Sequence, residues 1–126
     1  VDNSADMLDH IRAKNPPPNL RLVHADASQT GLGNHIADFC LLAFILHEVK
    51  YPDRVMTEAS RLLKPAGKAI VVEWRADVDS PGPPRHRRIS REQIEELFSQ
   101  VGLSLVECID WSRNHCVAIG RKTRPG

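Results

Sequence analysis

DFCLLAFILHEVKYPDRVMTEASRLLKPAGKAIVVEW, residues 38–74, holds two short apolar runs with a helical pattern between them. From Ile36 to about Phe44 nearly every residue is apolar, with Asp38 at the entrance. A run this short and this hydrophobic suits a strand covered on both faces, as in the middle of a parallel sheet. Pro52 fits a first helical position, and Val55, Met56, Ala59, Leu62 and Leu63 keep helical spacing until KPAG ends the run. KAIVVEW (68–74) reads as a second buried strand. Strand, helix and strand in this order are the unit of a parallel sheet.

Working outward, Ser4 is placed to cap a helix running to about Lys14, with Asp6 in its first turn and Met7, Leu8 and Ile11 as its apolar stripe. NPPPN stops it, because proline cannot continue the backbone ladder. LRLVHA (20–25) alternates toward strand, and QTGLGNH reads as a loop. Beyond Trp74, RADVDSPGPPRHRR is a polar, proline-rich loop too long for a mere connector. Ser90 with Gln93 forms a capping box, Ile89 with Ile94 a hydrophobic staple, and Gly102 a C-terminal stop for a third helix. LSLVECID and HCVAIGRK, joined by WSRN, fit an antiparallel hairpin. The expected fold is therefore α/β: an incomplete doubly wound, mostly parallel sheet with helices on both faces and a C-terminal hairpin that adds an antiparallel strand at an edge.

Composition excludes several classes. The chain has 126 residues, the size of one domain, with 41% hydrophobic and 26% charged residues, a globular rather than disordered balance. Lys and Arg number 17 against 16 Asp and Glu, so no global attraction draws it to nucleic acid or anionic membrane. The longest apolar run is eight residues, well short of the roughly 20 of a membrane helix. Three cysteines (40, 108, 116) without ligand spacing read as reduced thiols of a cytoplasmic protein. Six scattered histidines suggest no metal site.

The segment 38–74, with PRHRRISREQIEELFSQVGL after it, resembles the second half of a class I S-adenosylmethionine-dependent methyltransferase of the small-molecule, quinone-biosynthesis type. The resemblance implies a Rossmann-like sheet, S-adenosylmethionine as cofactor, and methyl transfer to a small-molecule acceptor, with no role for membrane or nucleic acid. It assigns Asp2 to the cofactor's ribose hydroxyls, with Asn3 and Met7 beside it. It assigns Asp26 and Ala27 to the adenine edge, and Ala43 and Phe44 to the methionine and adenosine parts. It leaves the family's first strand and Gly-rich turn without a counterpart, since Gly31 and Gly33 follow the wrong strand. The 126 residues alone are thus expected to bind cofactor weakly or not at all.

Three explanations stay open: upstream residues outside this chain, a truncated product that closes its sheet differently, or another doubly wound protein. A methyltransferase-like remnant serving as a self-associating or binding module, through unpaired sheet edges, is the alternative function. Residues at the mouths of the fourth and fifth family strands, His47, Glu73, Trp74 and Arg75, are candidates for the acceptor, as are His86 and Arg88 in the basic loop. His47 could act as a general base or merely pack its turn. No catalytic residue is assigned, because alignment and desolvation can supply much of the acceleration for an activated methyl group.

Overall fold

A computed structural model describes residues 1–123. Helix α1 spans Ala5–Arg12, and Ser4 Oγ accepts the Met7 amide at its start. Strand β1 is Ala37–Ala43, α2 Pro52–Leu62 and β2 Leu63–Trp74. A 3-10 turn (Arg85–Arg87) precedes α3 (Arg91–Gln100), β3 (Leu103–Asp110) and β4 (His115–Lys122). The capping box forms as the sequence predicts: Ser90 Oγ accepts the Gln93 amide at 3.2 Å, and Gln93 Oε1 accepts the Ser90 amide at 2.8 Å. Gly102, at φ 76°, then takes the left-handed turn that favours glycine.

The four strands form one sheet in the order β1-β2-β4-β3. β1 and β2 run parallel, while β4 is antiparallel to both β2 and β3. The sheet is thus mixed, and the antiparallel strand expected at an edge lies inside it. The hairpin folds back so that β4, whose alternate residues Cys116, Ala118, Gly120 and Lys122 are buried, fills the place beside β2.

Helices α2 and α3 share one face of the sheet. Val55, Met56, Ala59, Ile94 and Phe98 meet Leu42, Ala69, Val71, Leu103 and Ala118 there in one core. Gly120 lets α3 approach closely, because a Cβ at that position would stand 2.8 Å from the Phe98 ring. Lys122 passes beneath the end of α2, where its Nζ donates to Ser60 O (2.5 Å) and Leu63 O (3.0 Å). Two carbonyls left over by the helix end are satisfied this way, and burial lowers the amine's pKa.

The opposite face departs from expectation. β1 is not covered on both sides: Phe39 is 64% and Leu41 67% exposed, although Leu42 is 7%. The apolar run is present, but β1 stands at the end of the sheet order. LRLVHA likewise forms no extended strand, only an isolated parallel bridge of His24 with Asp2. A strand needs a partner along its length, and here the partner is one residue pair, made by the Asp2 amide to Val23 O and the Ala25 amide to Asp2 O, both at 3.0 Å.

Candidate functional site

Asp2 and the end of β1 face each other across a cleft of about 450 Å³. Val1, Asp2, Ala27 and Thr30 form one wall, Cys40 to Ala43 and Ile45 the other, and Val55, Ala59 and Leu62 of α2 the floor. The structure brings Asp2, Ala27 and Ala43 into one neighbourhood. The Asp2 carboxylate accepts the Ser4 amide on Oδ1 at 2.8 Å, and Oδ2 has no partner among the described residues. A carboxylate oxygen beside apolar walls fits, in kind, an adenosine-bearing cofactor: the oxygen suits a sugar hydroxyl and the walls a flat base.

The loop carrying Ala27 is tied at both ends. At its start Asp26 accepts Ser28 N (2.8 Å) and Ser28 Oγ (2.5 Å), bonds that lower the Asp26 pKa. At its end buried Glu58 of α2 accepts Thr30 N (2.8 Å) and Thr30 Oγ1 (2.6 Å) on one oxygen. Arg61 donates to both Glu58 oxygens, at 2.7 and 2.9 Å, and to Asn34 Oδ1. Arg61 foremost, and then Thr30, hold the Glu58 pKa down to about 2 against the opposing effect of burial. The Glu58–Thr30 clamp was not read from the sequence, since nothing in the helical spacing of Glu58 distinguishes it from a solvated acid.

Asn3, Met7 and Asp26 do not line this cleft. The Asn3 carbonyl accepts from His24 Nε2 at 3.1 Å, Met7 is 52% exposed on α1, and the Asp26 carboxylate is engaged by Ser28. Phe44 leaves β1 in the left-handed region at φ 58°, rare for a bulky side chain and common at functional sites. Its ring stands 5.9 Å from Trp74 and 5.3 Å from His115, and Trp74 lies 4.5 Å from His115. Only the β2–β4 register, which pairs Trp74 with His115, reveals this cluster.

His47 and Glu73 meet, as their positions after β1 and near the end of β2 allow. Glu73 is 1% exposed; its Oε2 lies 2.8 Å from His47 Nδ1 and its Oε1 accepts the His47 amide at 3.1 Å. His47 Nε2 lies 3.7 Å from Oε1 of exposed Glu48.

The basic loop closes around one of its own arginines. Arg88 is 6% exposed and donates to the carbonyls of Pro83, Arg75, Val78 and Ser80 and to Ser80 Oγ. Its guanidinium is committed to holding the loop, not to an incoming anion. Arg75 is likewise forked onto Asp77 (3.0 and 2.8 Å) with Asp110 3.5 Å away. It borders a second cavity, of about 360 Å³, between α3 and the hairpin. Gly82 packs on the Trp74 ring, so the loop covers that indole. His86 is exposed on the 3-10 turn, away from both cavities. Among the described residues no group of three or more His, Cys, Asp or Glu is gathered to hold a metal, and no helix is long and apolar enough to cross a membrane.

The methyltransferase domain family matches residues 1–71, more than half of the chain, and the chain belongs to that family. It is 33% identical over 73 residues to a demethylmenaquinone methyltransferase of Chlamydia pneumoniae, covering 58% of this chain and 32% of that protein. The chain therefore spans about a third of the length of the curated relatives it matches. The fold is similar to a SAM-dependent methyltransferase from Aquifex aeolicus, with TM-score 0.85 and 17% identity over 95% of this chain and 65% of that one. It is also similar to 1,6-didemethyltoxoflavin-N1-methyltransferase of Burkholderia thailandensis, with TM-score 0.69 and 20% identity over 91% of this chain and 56% of that one. That structure contains 1,6-didemethyltoxoflavin and S-adenosylhomocysteine.

Proposed function

We propose that this chain is part of an S-adenosylmethionine-dependent methyltransferase acting on a small-molecule acceptor. The observation that carries the reading is the cleft in which Asp2, Ala27 and Ala43 converge. Asp2 would hold the sugar hydroxyls, and Ala27, Ala43 and Ile45 would flank the base. When bound, the cofactor supplies a methyl group already activated on positive sulfur. The protein's work is then to orient the acceptor and exclude water, a task suited to Phe44, Trp74 and the loop held by Arg88. Demethylmenaquinone, from the curated relative's name, is the first acceptor to try.

The same cleft supports a structural corollary. β1 is apolar yet has no partner on its outer edge among the described residues, and Val1 and Asp2 stand across the gap from it. One further strand in that gap would pair the edge and bring backbone amides to the cofactor. Calorimetric titration with S-adenosylhomocysteine tests both statements. The complete protein is expected to bind with micromolar affinity, weakened by Asp2→Asn, while the 126-residue chain binds far more weakly. No binding by the complete protein removes the methyltransferase reading, and micromolar binding by the short chain removes the need for a further strand.

A second reading is favoured by the exposure of Phe39 and Leu41: a non-catalytic module that self-associates through β1. Its discriminator is the sedimentation mass of the chain. A clean monomer at high concentration counts against it.

A further inference from the structure

We propose that His47 is a general base whose reactive nitrogen is Nε2, that Glu73 is its positioning residue, and that the acceptor gives up a proton when it is methylated. The inference rests on the methyltransferase reading above and names a residue role and an acceptor property within it.

The hydrogen-bond pattern sets the tautomer. Glu73 is almost wholly buried and sits at the end of β2, where its two oxygens face the turn after β1. Oε1 accepts the His47 backbone amide at 3.1 Å, and Oε2 lies 2.8 Å from Nδ1. An ionised carboxylate can only accept, so Nδ1 carries the hydrogen that completes this contact. In the neutral ring the lone pair is then left on Nε2. The side chain of His47 is 8% exposed, and no buried side-chain nitrogen or oxygen lacks a partner among the described residues. Nε2 makes no hydrogen bond among the described residues, so it is not sealed from solvent.

The arrangement is that of a carboxylate–imidazole base, in which the carboxylate fixes the ring and steadies the cation it becomes. The step is a proton transfer. The acceptor's O–H, N–H or C–H bond breaks, its electron pair stays with the acceptor, and the proton bonds to the Nε2 lone pair. The imidazolium then lies between Glu73 on Nδ1 and Glu48, whose Oε1 is 3.7 Å from Nε2. Glu48 is exposed and offers the proton a way to water. An acceptor without such a proton, a tertiary amine or a thioether, would gain nothing from the pair.

The bare Nε2 is the first measurement, and the base role is read from the rate: in the complete protein His47→Gln and Glu73→Gln should each slow methyl transfer by at least about tenfold, and unchanged rates overturn the proposal. Long-range proton–nitrogen spectra of the 126-residue chain at mildly alkaline pH are expected to show His47 protonated at Nδ1 and bare at Nε2. Glu73→Gln should abolish that preference, because an amide can offer its own hydrogens to Nδ1. A second arm treats the folded chain with diethyl pyrocarbonate, which acylates accessible unprotonated imidazole nitrogen, followed by peptide mapping. Acylation of His47 together with exposed His10 and His86 is expected. A hydrogen on Nε2, or a His47 left unacylated while His10 and His86 react, overturns the proposal. The methyltransferase reading stands or falls separately, on S-adenosylhomocysteine binding by the complete protein, which His47→Gln should leave within about threefold of the native value.

Discussion

The two ends of this chain are built on different terms. From β2 onward each strand has a partner along its length, each helix a face to cover, and the termini of α3 are closed by a capping box and a left-handed glycine. The first 33 residues hold one short helix, two isolated bridges and two tethered turns. Leu8 is buried, yet Met7, Leu20 and Val1 remain about half exposed or more. A shared core makes the later region stable through many mutual contacts. The early region depends on single ties, among them the buried Glu58–Thr30 clamp.

That contrast can be broken at its strongest point first. Phe98→Ala should cost about 3–5 kcal/mol by chemical unfolding, since the ring is wholly buried against Gly120 and the substitution leaves a cavity the sheet cannot fill. A loss below about 1 kcal/mol would mean that the later region is not the stable one.

The clamp between the regions responds to acid. The folded Glu58 pKa is depressed to about 2 from 4.5, so its contribution is fully present above the unfolded value and lost as pH falls through the folded one. The contribution is at most about 3 kcal/mol. Between neutral pH and pH 2, hydrogen exchange at Thr30 and Leu32 should therefore accelerate before that of β4. Simultaneous loss in both regions would show that they unfold as one. The smallest effect is expected at the open edge: Leu41→Lys should change monomer stability by no more than about 0.5 kcal/mol, because the side chain is already in water. A substantial loss of stability, with a fall in sedimentation mass, would show the edge to be paired between copies.

Legibility in the sequence followed the same division. The boundaries of α2, α3 and the hairpin were readable because proline, capping residues and glycine act on their own neighbours. Glu58, His115 and the inward turn of Arg88 were not, because each depends on which distant residue the sheet register brings opposite. Arg88 lies in a run of basic residues that reads as a solvated loop, and only the loop's closed path supplies the carbonyls that bury it.

The sequence by itself determined that strands and helices alternate from β1 onward, where α2 and α3 begin and end, and which acids and aromatics follow the strand ends, since these are short-range consequences of backbone and periodicity. Only the tertiary structure decided that β4 enters the sheet beside β2, that β1 keeps a bare apolar face, and that His47 is fixed by Glu73. Those outcomes depend on which surfaces find partners in three dimensions, and a partner 26 residues away leaves no mark on local pattern.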